Sequence, residues 1–414
     1  MSSDLAKPVE TPTTPRDAAV GMSLSQDAWR RLKKNRVAML SLAVIFAITA
    51  FAFLTPLLPL QTPDRELTDL QYGEPMLSRL WLFDFKLDTE AIANTSAAVA
   101  KLEKELVTLK KNFAAVKDGD EAEYQKARRA LRRKEAEIQD TIQAPYRRLG
   151  FPTLGAMSRW MVRVRYAVFG ERSLNSLCGR DVFGRDTLSR VFWGARISLL
   201  VGLVATIVSL VIGVTYGAVS GYCGGWIDDA MMRFVDVLYS VPFIFVVIFL
   251  LTILGEERIA DELAYWGIDR ITVFFLVVGA IYWLTMSRVV RGQVISLKHE
   301  LFVEAARSLG ASQKRIIFLH LLPNLLSVVL VYLTLTIPRV MLFEAFLSFL
   351  GLGVEPPDVS WGLLANEGIK VITPVKIYWW LILFPSIALG STLMALNFLG
   401  DGVRDALDPR LRDA

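Results

Sequence analysis

The sequence predicts an all-α polytopic membrane protein with about six transmembrane helices and a helical-hairpin extracytoplasmic insertion. Three observations carry that prediction. Hydrophobic residues make up 53% of the chain and the mean hydropathy is +0.41, against the 45–50% apolar content of ordinary soluble domains. The apolar residues are concentrated in long runs without charge, and the basic residues cluster beside those runs. One stretch between the first two runs is highly charged, with heptad-like apolar spacing.

A helix needs about 20 apolar residues to cross the hydrocarbon core. Val37–Leu58 and Ile197–Tyr222 meet that length without a charge, and so does Ile377–Gly400. Val237–Leu254, Ile271–Ser287 and Leu321–Pro338 are shorter, the last resuming its apolar character beyond Arg339. The first run is too long for a signal-peptide core. Residues 1–36 precede it, with Asp4, Glu10, Asp17 and Asp27 among them. Residues 1–20 are rich in Pro, Thr, Ser and Ala and read as a disordered tail.

Positive charge in short loops sets orientation. Arg30, Arg31, Lys33, Lys34 and Arg36 abut the first span and place the N-terminus in the cytoplasm. Six crossings then put Cys223–Arg233, the basic stretch Arg288–His320 and the C-terminal tail with Arg404, Arg410 and Arg412 on the same side. The loop Gly255–Arg270 faces outward and is acidic, with Glu256, Glu257, Asp261, Glu262 and Asp269 against Arg258 and Arg270. The basic segment 59–190 also falls outside, as long loops translocate largely regardless of charge. On this reading Cys178 lies outside and Cys223 inside, too far apart for a disulfide.

The domain reading follows: a cytoplasmic tail at 1–36, a first span at 37–58, an extracytoplasmic insertion at 59–190, a five-helix membrane core at 191–400, and a cytoplasmic tail at 401–414. Within the insertion, Val99, Leu102, Leu106, Leu109, Phe113 and Val116 alternate three and four apart. Lys117–Glu121 reads as a turn. Tyr124, Ala127, Leu131 and Ile138 repeat the spacing, with Lys134 at one seam position. The pattern predicts an antiparallel hairpin over 90–148, either a strut that packs on itself or a docking arm for another protein. Met157–Phe169 is amphipathic and suits the membrane surface.

Composition also excludes functions. Net charge is +5 and the pI about 9.1, but the basic residues sit beside spans, so the membrane takes precedence over nucleic acid as the partner. Two cysteines and two histidines supply neither a disulfide framework nor a metal cage. No GxxxxGK[ST] phosphate loop occurs, so the chain is no ATPase, and ATP and its Mg would be bound by another subunit.

The segment Glu304–Asn324 reads helix, break, helix. Leu301–Leu309 favours helix, Gly310 suits a left-handed cap, and Ser312 can cap the next helix. Ala305, Ala306, Ser308 and Ala311 are small enough for another backbone to approach. A short helix across the mouth of the bundle is a lever, although spacing alone fits an ordinary connector equally well.

Glu304-Ala-Ala, Gly310 four residues after Ala306, and Leu322-Pro323 resemble the EAA loop of ABC importer permeases. Trp29–Arg36 is similar to the N-terminal entry of oligopeptide/dipeptide permeases. Gly179–Arg190 followed by Gly194–Ser198 resembles that family's GTDxxGRDxxSR…GARxS signature. Gly221–Gly225, Asp228, Arg233 and Asp236, then Glu344–Gly353 and Gly402–Pro409, resemble later motifs of its C-type subunit. Cys178 and Arg180 depart from the usual Leu and Thr, and the insertion at about 66–175 is much longer than the usual loop.

The resemblance implies a coupling loop at 296–322 whose Glu304, Ala305, Ala306, Arg307, Gly310, Ala311 and Ser312 seat in an ATPase. It marks Gly184, Arg185, Asp186, Ser189, Arg190, Gly194, Arg196, Asp236, Glu344 and Gly351 as signature positions. It further implies a second permease subunit, ABC ATPase subunits, an extracytoplasmic solute-binding protein, and short peptides as substrate. The chain itself would carry no catalytic residue, cofactor or metal, and would sit in the bacterial inner membrane. Nickel, modified peptides or oligosaccharides remain open as cargo, as does a secondary transporter, although no internal repeat is evident.

Overall fold

The computed structural model describes residues 24–76, 81–83, 87, 89–116, 121–174, 176–256, 259, 262–263, 266, 268, 270–356 and 358–407. The tail read at 1–20, most of the turn at 117–121, the loop residues Glu257, Arg258, Asp261 and Asp269, and Arg410 and Arg412 lie outside them. Among the described residues, five helical stretches are long and apolar enough to cross a membrane, or six where a bent helix pair counts as one span.

Helix α1 (Leu24–Lys34) stops where the Asn35 side chain accepts from the Val37 and Ala38 amides and starts α2 (Arg36–Leu54). After a long excursion the chain enters α6 (Thr187–Cys223), then α7 (Gly225–Ser240) and α8 (Phe243–Leu254). Next come α9 (Arg270–Leu297), the short α10 (Leu301–Ser308) and α11 (Leu322–Phe349). Helices α12 (Trp361–Lys370) and α13 (Trp380–Leu407) complete the described chain.

Two spans differ from the sequence expectation. Val237–Leu254 is not one helix, because α7 and α8 meet at 86°. Pro242 forces the break: it offers no amide, and its ring pushes Val241 into extended backbone at φ −89° and ψ 127°. Helix α6 begins at Thr187, ten positions before Ile197, so the boundary set at 190/191 falls inside it. At 37 residues it rises about 55 Å and projects well beyond a hydrocarbon core of about 30 Å.

Helices α6 and α9 run parallel and form the centre of the bundle. Gly213 faces the Trp283 carbonyl and Met286, Gly217 faces Ser287 and Arg291, and Gly221 faces Arg291 and Val294. One turn of spacing in each helix keeps the register, so small residues bring two backbones into contact along a shared seam. Met341 of α11 closes over Gly202 on another side of α6. The end of α1 and the start of α2 pack against the end of α13 through Leu32, Ala38 and Ala406. The end of α2 meets the start of α6, where the Thr55 hydroxyl donates to the Phe192 carbonyl. The bundle therefore has two distinct ends, one at the start of α6 and one at its finish.

At the first end lie α3 (Thr89–Val116) and α4 (Glu121–Arg147), side by side. Phe113 contacts Tyr124 with ring centroids 5.1 Å apart. Lys134, the charged seam residue, reaches Glu105 at 2.9 Å and Glu137 at 2.8 Å. The base of the pair is anchored: Gln143 exchanges two hydrogen bonds with the Leu154 backbone, and Tyr146, Phe151 and Leu154 pack with Trp193 of α6. Helix α5 (Ala156–Phe169) buries Met161, Val162 and Arg165 and exposes Met157, Trp160 and Val168. A two-stranded antiparallel ribbon, Trp81–Phe83 with Arg172–Leu174, is a sheet element absent from the all-α expectation.

The seam makes a direct prediction. A side chain at Gly217 would enter the Ser287 carbonyl, whereas nothing lies within 4 Å of a Cβ at Gly390. Gly217→Leu should lower the detergent-solubilised melting temperature by the equivalent of at least 1–3 kcal/mol, the usual cost of overpacking, while Gly390→Ala should leave it within experimental error.

Candidate functional site

The motif Gly179–Arg190 folds into a buried charge knot that joins the first end of the bundle. Gly184 (φ +73°) makes the turn, and a Cβ there would strike the Leu67 carbonyl, so the position requires glycine. That turn points Asp181 inward. Its carboxylate accepts from the Phe183 and Arg185 amides at 2.9 Å, from Arg185 Nε at 2.7 Å and from Arg190 Nη1 at 2.8 Å. Arg190, 2% exposed, also pairs with Glu367 of α12, and Arg185 approaches the same carboxylate at 3.5 Å. Two carboxylates, buried Asp181 and the partly exposed Glu367, thus balance two buried guanidinium groups, which is what a buried charge needs to be tolerated.

The knot ties distant segments together. Ser189 donates its hydroxyl to the Gln61 carbonyl, and Trp380 at the start of α13 donates to the Arg180 carbonyl at 3.2 Å. The Trp361 amide donates to Ser198 Oγ at 3.1 Å, and Gly194 lets the Ser360–Trp361 backbone approach α6. Arg196 donates to Ser158 at 3.0 Å and lies over the Trp193 ring at 4.9 Å. Glu344 is fully buried in α11 and accepts from Ser348 at 2.7 Å. Ser348 in turn accepts from the Val354 amide after the Gly351 turn.

Asp186 caps α6 by accepting the Ser189 amide at 2.9 Å. Burial pushes its carboxyl up to about 6, the Ser189 amide opposing that rise. Cys178 is buried beside the knot, and desolvation pushes its thiol up to about 12. The structure therefore denies this cysteine the exposure that labelling would need, although Cys223 is exposed.

At the opposite end, α7 is clamped to α9. Arg291 donates from Nε and Nη2 to the two Asp228 oxygens, both at 2.6 Å, and the Ser220 hydroxyl donates to the same carboxylate. Lys298 donates to the Gly221 carbonyl at 3.1 Å. Asp236, marked earlier beside Arg233, pairs with Arg288 at 2.6 Å. Sequence reading missed the partners Glu367, Arg288 and Arg291, since each lies far along the chain from the charge it pairs with.

The same end carries the Glu304–Asn324 elbow. Helix α10 ends in two bonds, Gly310 N–H to the Arg307 carbonyl and Ala311 N–H to the Ala306 carbonyl, with Gly310 at φ +78°. That is a Schellman cap, which requires a left-handed residue. Ser312 then accepts from the Arg315 amide at 3.4 Å, and a π-helical turn, Ile316–Leu321, leads into α11. Val303 and Ala306 are buried against Val290, Val294, Ile317 and Leu321. Glu304, Ala305, Arg307, Gly310 and Ser312 face outward, Ala311 is half-buried, and Leu301 and Leu309 are 81% and 88% exposed. A Cβ at Gly310 would meet nothing within 4 Å, so the demand for glycine within this chain comes from the backbone angle alone. Among the described residues, no three His, Cys, Asp or Glu side chains gather to hold a metal.

Comparison with known proteins places these features. Residues 213–413 match the family described as binding-protein-dependent transport system inner membrane component, and residues 23–73 match the N-terminal TM domain of oligopeptide transport permease C. The chain is 47% identical over 234 residues to the oligopeptide transport system permease protein OppC of Haemophilus influenzae, covering 56% of this chain and 70% of that one. It is 44% identical to the dipeptide transport system permease protein DppC of Bacillus subtilis, covering 56% and 68%. It is 31% identical over 398 residues to DppC of Lactococcus lactis subsp. cremoris, covering 96% and 94%, a match that takes in the hairpin segment. A chain of the MetNI methionine ABC transporter in an inward-facing conformation superposes with a TM-score of 0.38 at 17% identity, over 54% of this chain and 96% of that one. That likeness is too distant to carry an argument.

The knot separates two neighbouring acids by experiment. Asp181→Asn leaves two guanidinium groups short of a charge and should cost about 3–5 kcal/mol. Asp186→Asn keeps the cap and should be tolerated. Because the folded carboxyl of Asp186 is raised to about 6, its protonated form favours folding below pH 4, and that contribution is lost as pH rises through 6. Thermal melts in detergent at pH 5 and pH 7 should show a smaller pH difference for Asp186→Asn than for wild type.

Proposed function

We propose that this chain, which belongs to the family of binding-protein-dependent transport system inner membrane components, forms half of the translocation path for short peptides in an ATP-driven importer. Membership rests on the matched regions and on relatives named as oligopeptide and dipeptide permeases, one of them 47% identical over 70% of its length. The observation that carries the mechanistic reading is the elbow. It presents exposed Leu301, Leu309, Arg307 and Lys314 beyond the bundle while its inner face is packed into α9 and α11.

The proposed cycle follows from that packing. An ATPase subunit, carrying ATP and Mg, seats the elbow through Glu304, Ala305, Arg307 and Gly310. Closure of two ATPase subunits pushes α10, and Val303 and Ala306 pass the displacement to α9 and α11. A second permease related to this one moves in concert, and the path opens alternately to each side. An extracytoplasmic solute-binding protein delivers the peptide. The elbow, the N-terminus and the C-terminus face the cytoplasm, as Arg30, Arg31, Lys33 and Lys34 beside the first span favour. The hairpin α3–α4 then stands outside. Its anchored base, through Gln143, Tyr146 and Trp193, suits a docking arm, since a force on it reaches α6 directly.

Two measurements check the reading. Gly310→Val forces a β-branched residue to φ +78°, and Glu304→Ala removes an exposed carboxylate. Both variants should insert normally yet lose substrate-dependent uptake and stimulated ATP hydrolysis together in the reconstituted complex. Wild-type rates for both would leave the elbow a mere connector. Orientation rests on Cys223: an impermeant thiol reagent should modify it in inverted vesicles and spare it in intact cells, while Cys178 stays unmodified in both.

A further inference from the structure

Arg196 is a cation without a counter-ion at the rim of the bundle. Arg185 and Arg190, earlier in the chain, are balanced by Asp181 and Glu367. Arg196 is half-buried, its Nη2 donates to Ser158 Oγ at 3.0 Å, and its guanidinium lies 4.9 Å from the centre of the Trp193 ring. Among the described residues, no carboxylate forms an ion pair with it. A guanidinium has five N–H donors, so most are left to a partner outside the chain. The residue lines a cleft of about 180 Å³ together with Pro63, Pro152, Trp193, Leu200 and Asp358.

The level of this cleft follows from the spans. The stretch Arg36–Leu57 has 22 residues and rises about 33 Å, so a hydrocarbon core of about 30 Å fills it almost entirely. One boundary of that core therefore lies close to Thr55–Leu57. The Thr55 hydroxyl donates to the Phe192 carbonyl, and the uncharged run of α6 starts at Ile197. Arg196 thus stands in the boundary layer. Helix α5 lies in the same layer: it packs on the turn Thr55–Leu57, and Arg165 donates to the Leu60 carbonyl at 2.7 Å. Met157, Trp160 and Val168 share the outward face of α5 and are all exposed. An exposed apolar face with a tryptophan, at the level where spans end, belongs to an interfacial helix.

From the cleft, α6 presents an apolar stripe along its length, with Leu200, Leu203 and Ile207 all exposed. At 1.5 Å per residue Ile207 lies about 17 Å from Arg196, close to half the thickness of the core. We propose that the cleft holds a bilayer phospholipid, its phosphate on Arg196 and one acyl chain along Leu200, Leu203 and Ile207. The phosphate supplies the opposite charge that the chain withholds, in the planar geometry a guanidinium suits. The Asp358 carboxylate lines the same cleft. It selects a headgroup that carries an ammonium beside its phosphate, phosphoethanolamine, over one of net negative charge. Through the Arg196–Ser158 bond the lipid also steadies α5 against α6.

The test is native mass spectrometry of the full chain in detergent, titrated with dioleoyl phosphatidylethanolamine and repeated on the assembled transporter. Wild type should retain one such lipid in both. Arg196→Gln should weaken retention about tenfold, the loss expected of one charge-assisted contact. Leu200→Glu, at a position 45% exposed, sets a carboxylate one turn from Arg196. It supplies the missing counter-ion within the chain and should displace the lipid by a similar factor without disturbing the core. Arg404→Gln, exposed at the other end of the bundle, should bind as wild type. Dioleoyl phosphatidylglycerol should bind more weakly, and soluble glycerophosphoethanolamine should not compete. Equal retention by wild type, Arg196→Gln and Leu200→Glu would overturn the proposal. So would equal binding of phosphatidylglycerol, or competition by the soluble headgroup, which would mark a site for a free phosphate compound. Loss of the lipid on assembly would give the stripe to the second permease and overturn it as well.

Discussion

The close approach of α6 and α9 is the constraint on which the rest of the bundle depends. Within a bilayer, burial of apolar surface gives little drive for helices to associate, because lipid tails are as apolar as leucine. Association then comes from van der Waals contact, which is strongest where backbones touch. Gly213, Gly217 and Gly221 allow that contact against Trp283, Ser287 and Arg291. The seam also fixes depth. It sets Arg291 opposite Asp228 and places the α9 end where Lys298 reaches Gly221. A shift of one residue along α9 would break both.

Charge is sorted by position along this seam. At the start of α6, Asp181, Arg185 and Arg190 are buried together and balanced with the partly exposed Glu367, and Asp181 accepts four hydrogen bonds. Such a group adds little net stability, but removal of one member leaves a buried charge alone. It thus acts as a lock on geometry, fixing α12, α13 and the Gln61 loop around one helix end. At the other end, Asp228 is buried and Arg291 partly so, while Asp236 and Arg288 are exposed. The contrast runs from a buried knot that holds its geometry to an outer pair, Asp236 and Arg288, that water can reach.

Much of this was legible in the chain. Uncharged runs marked the spans because hydrocarbon imposes a length and a composition that no other environment does. Heptad spacing marked α3 and α4, and Gly310 with Ser312 marked the two caps of the elbow, since those signals are local. What local signals cannot give is partnership across the fold. Glu367 lies 177 positions from Arg190, and nothing in its neighbourhood distinguishes it from a surface glutamate. The 86° break at Val241–Pro242 was written in the sequence, but length and hydropathy favoured a continuous span. Cys178 was read by its place in the topology, and only the packing around the knot shows that it is sealed.

The same connections constrain how the bundle can move. The elbow is packed into α9 and α11, α9 is zipped along α6, and α6 is locked through Arg190 and Ser198 to α12 and its neighbours. A displacement at the elbow therefore cannot be absorbed at the start of α6 without exposing buried charge. The bent pair α7–α8 is the natural place for adjustment, since its two halves are held differently. Helix α8 joins the apolar cluster of Val273, Phe274 and Val277 through Ile244 and Val247. Helix α7 is held to α9 largely by polar contacts, from Asp228, Asp236 and Tyr239. Apolar packing resists separation over the whole contact, whereas an ion pair exchanges partners as soon as another charge arrives. Hence α7 is the half of the pair whose attachment depends on polar partners, and Pro242, with no amide to lose, lets it turn without breaking a helical hydrogen bond.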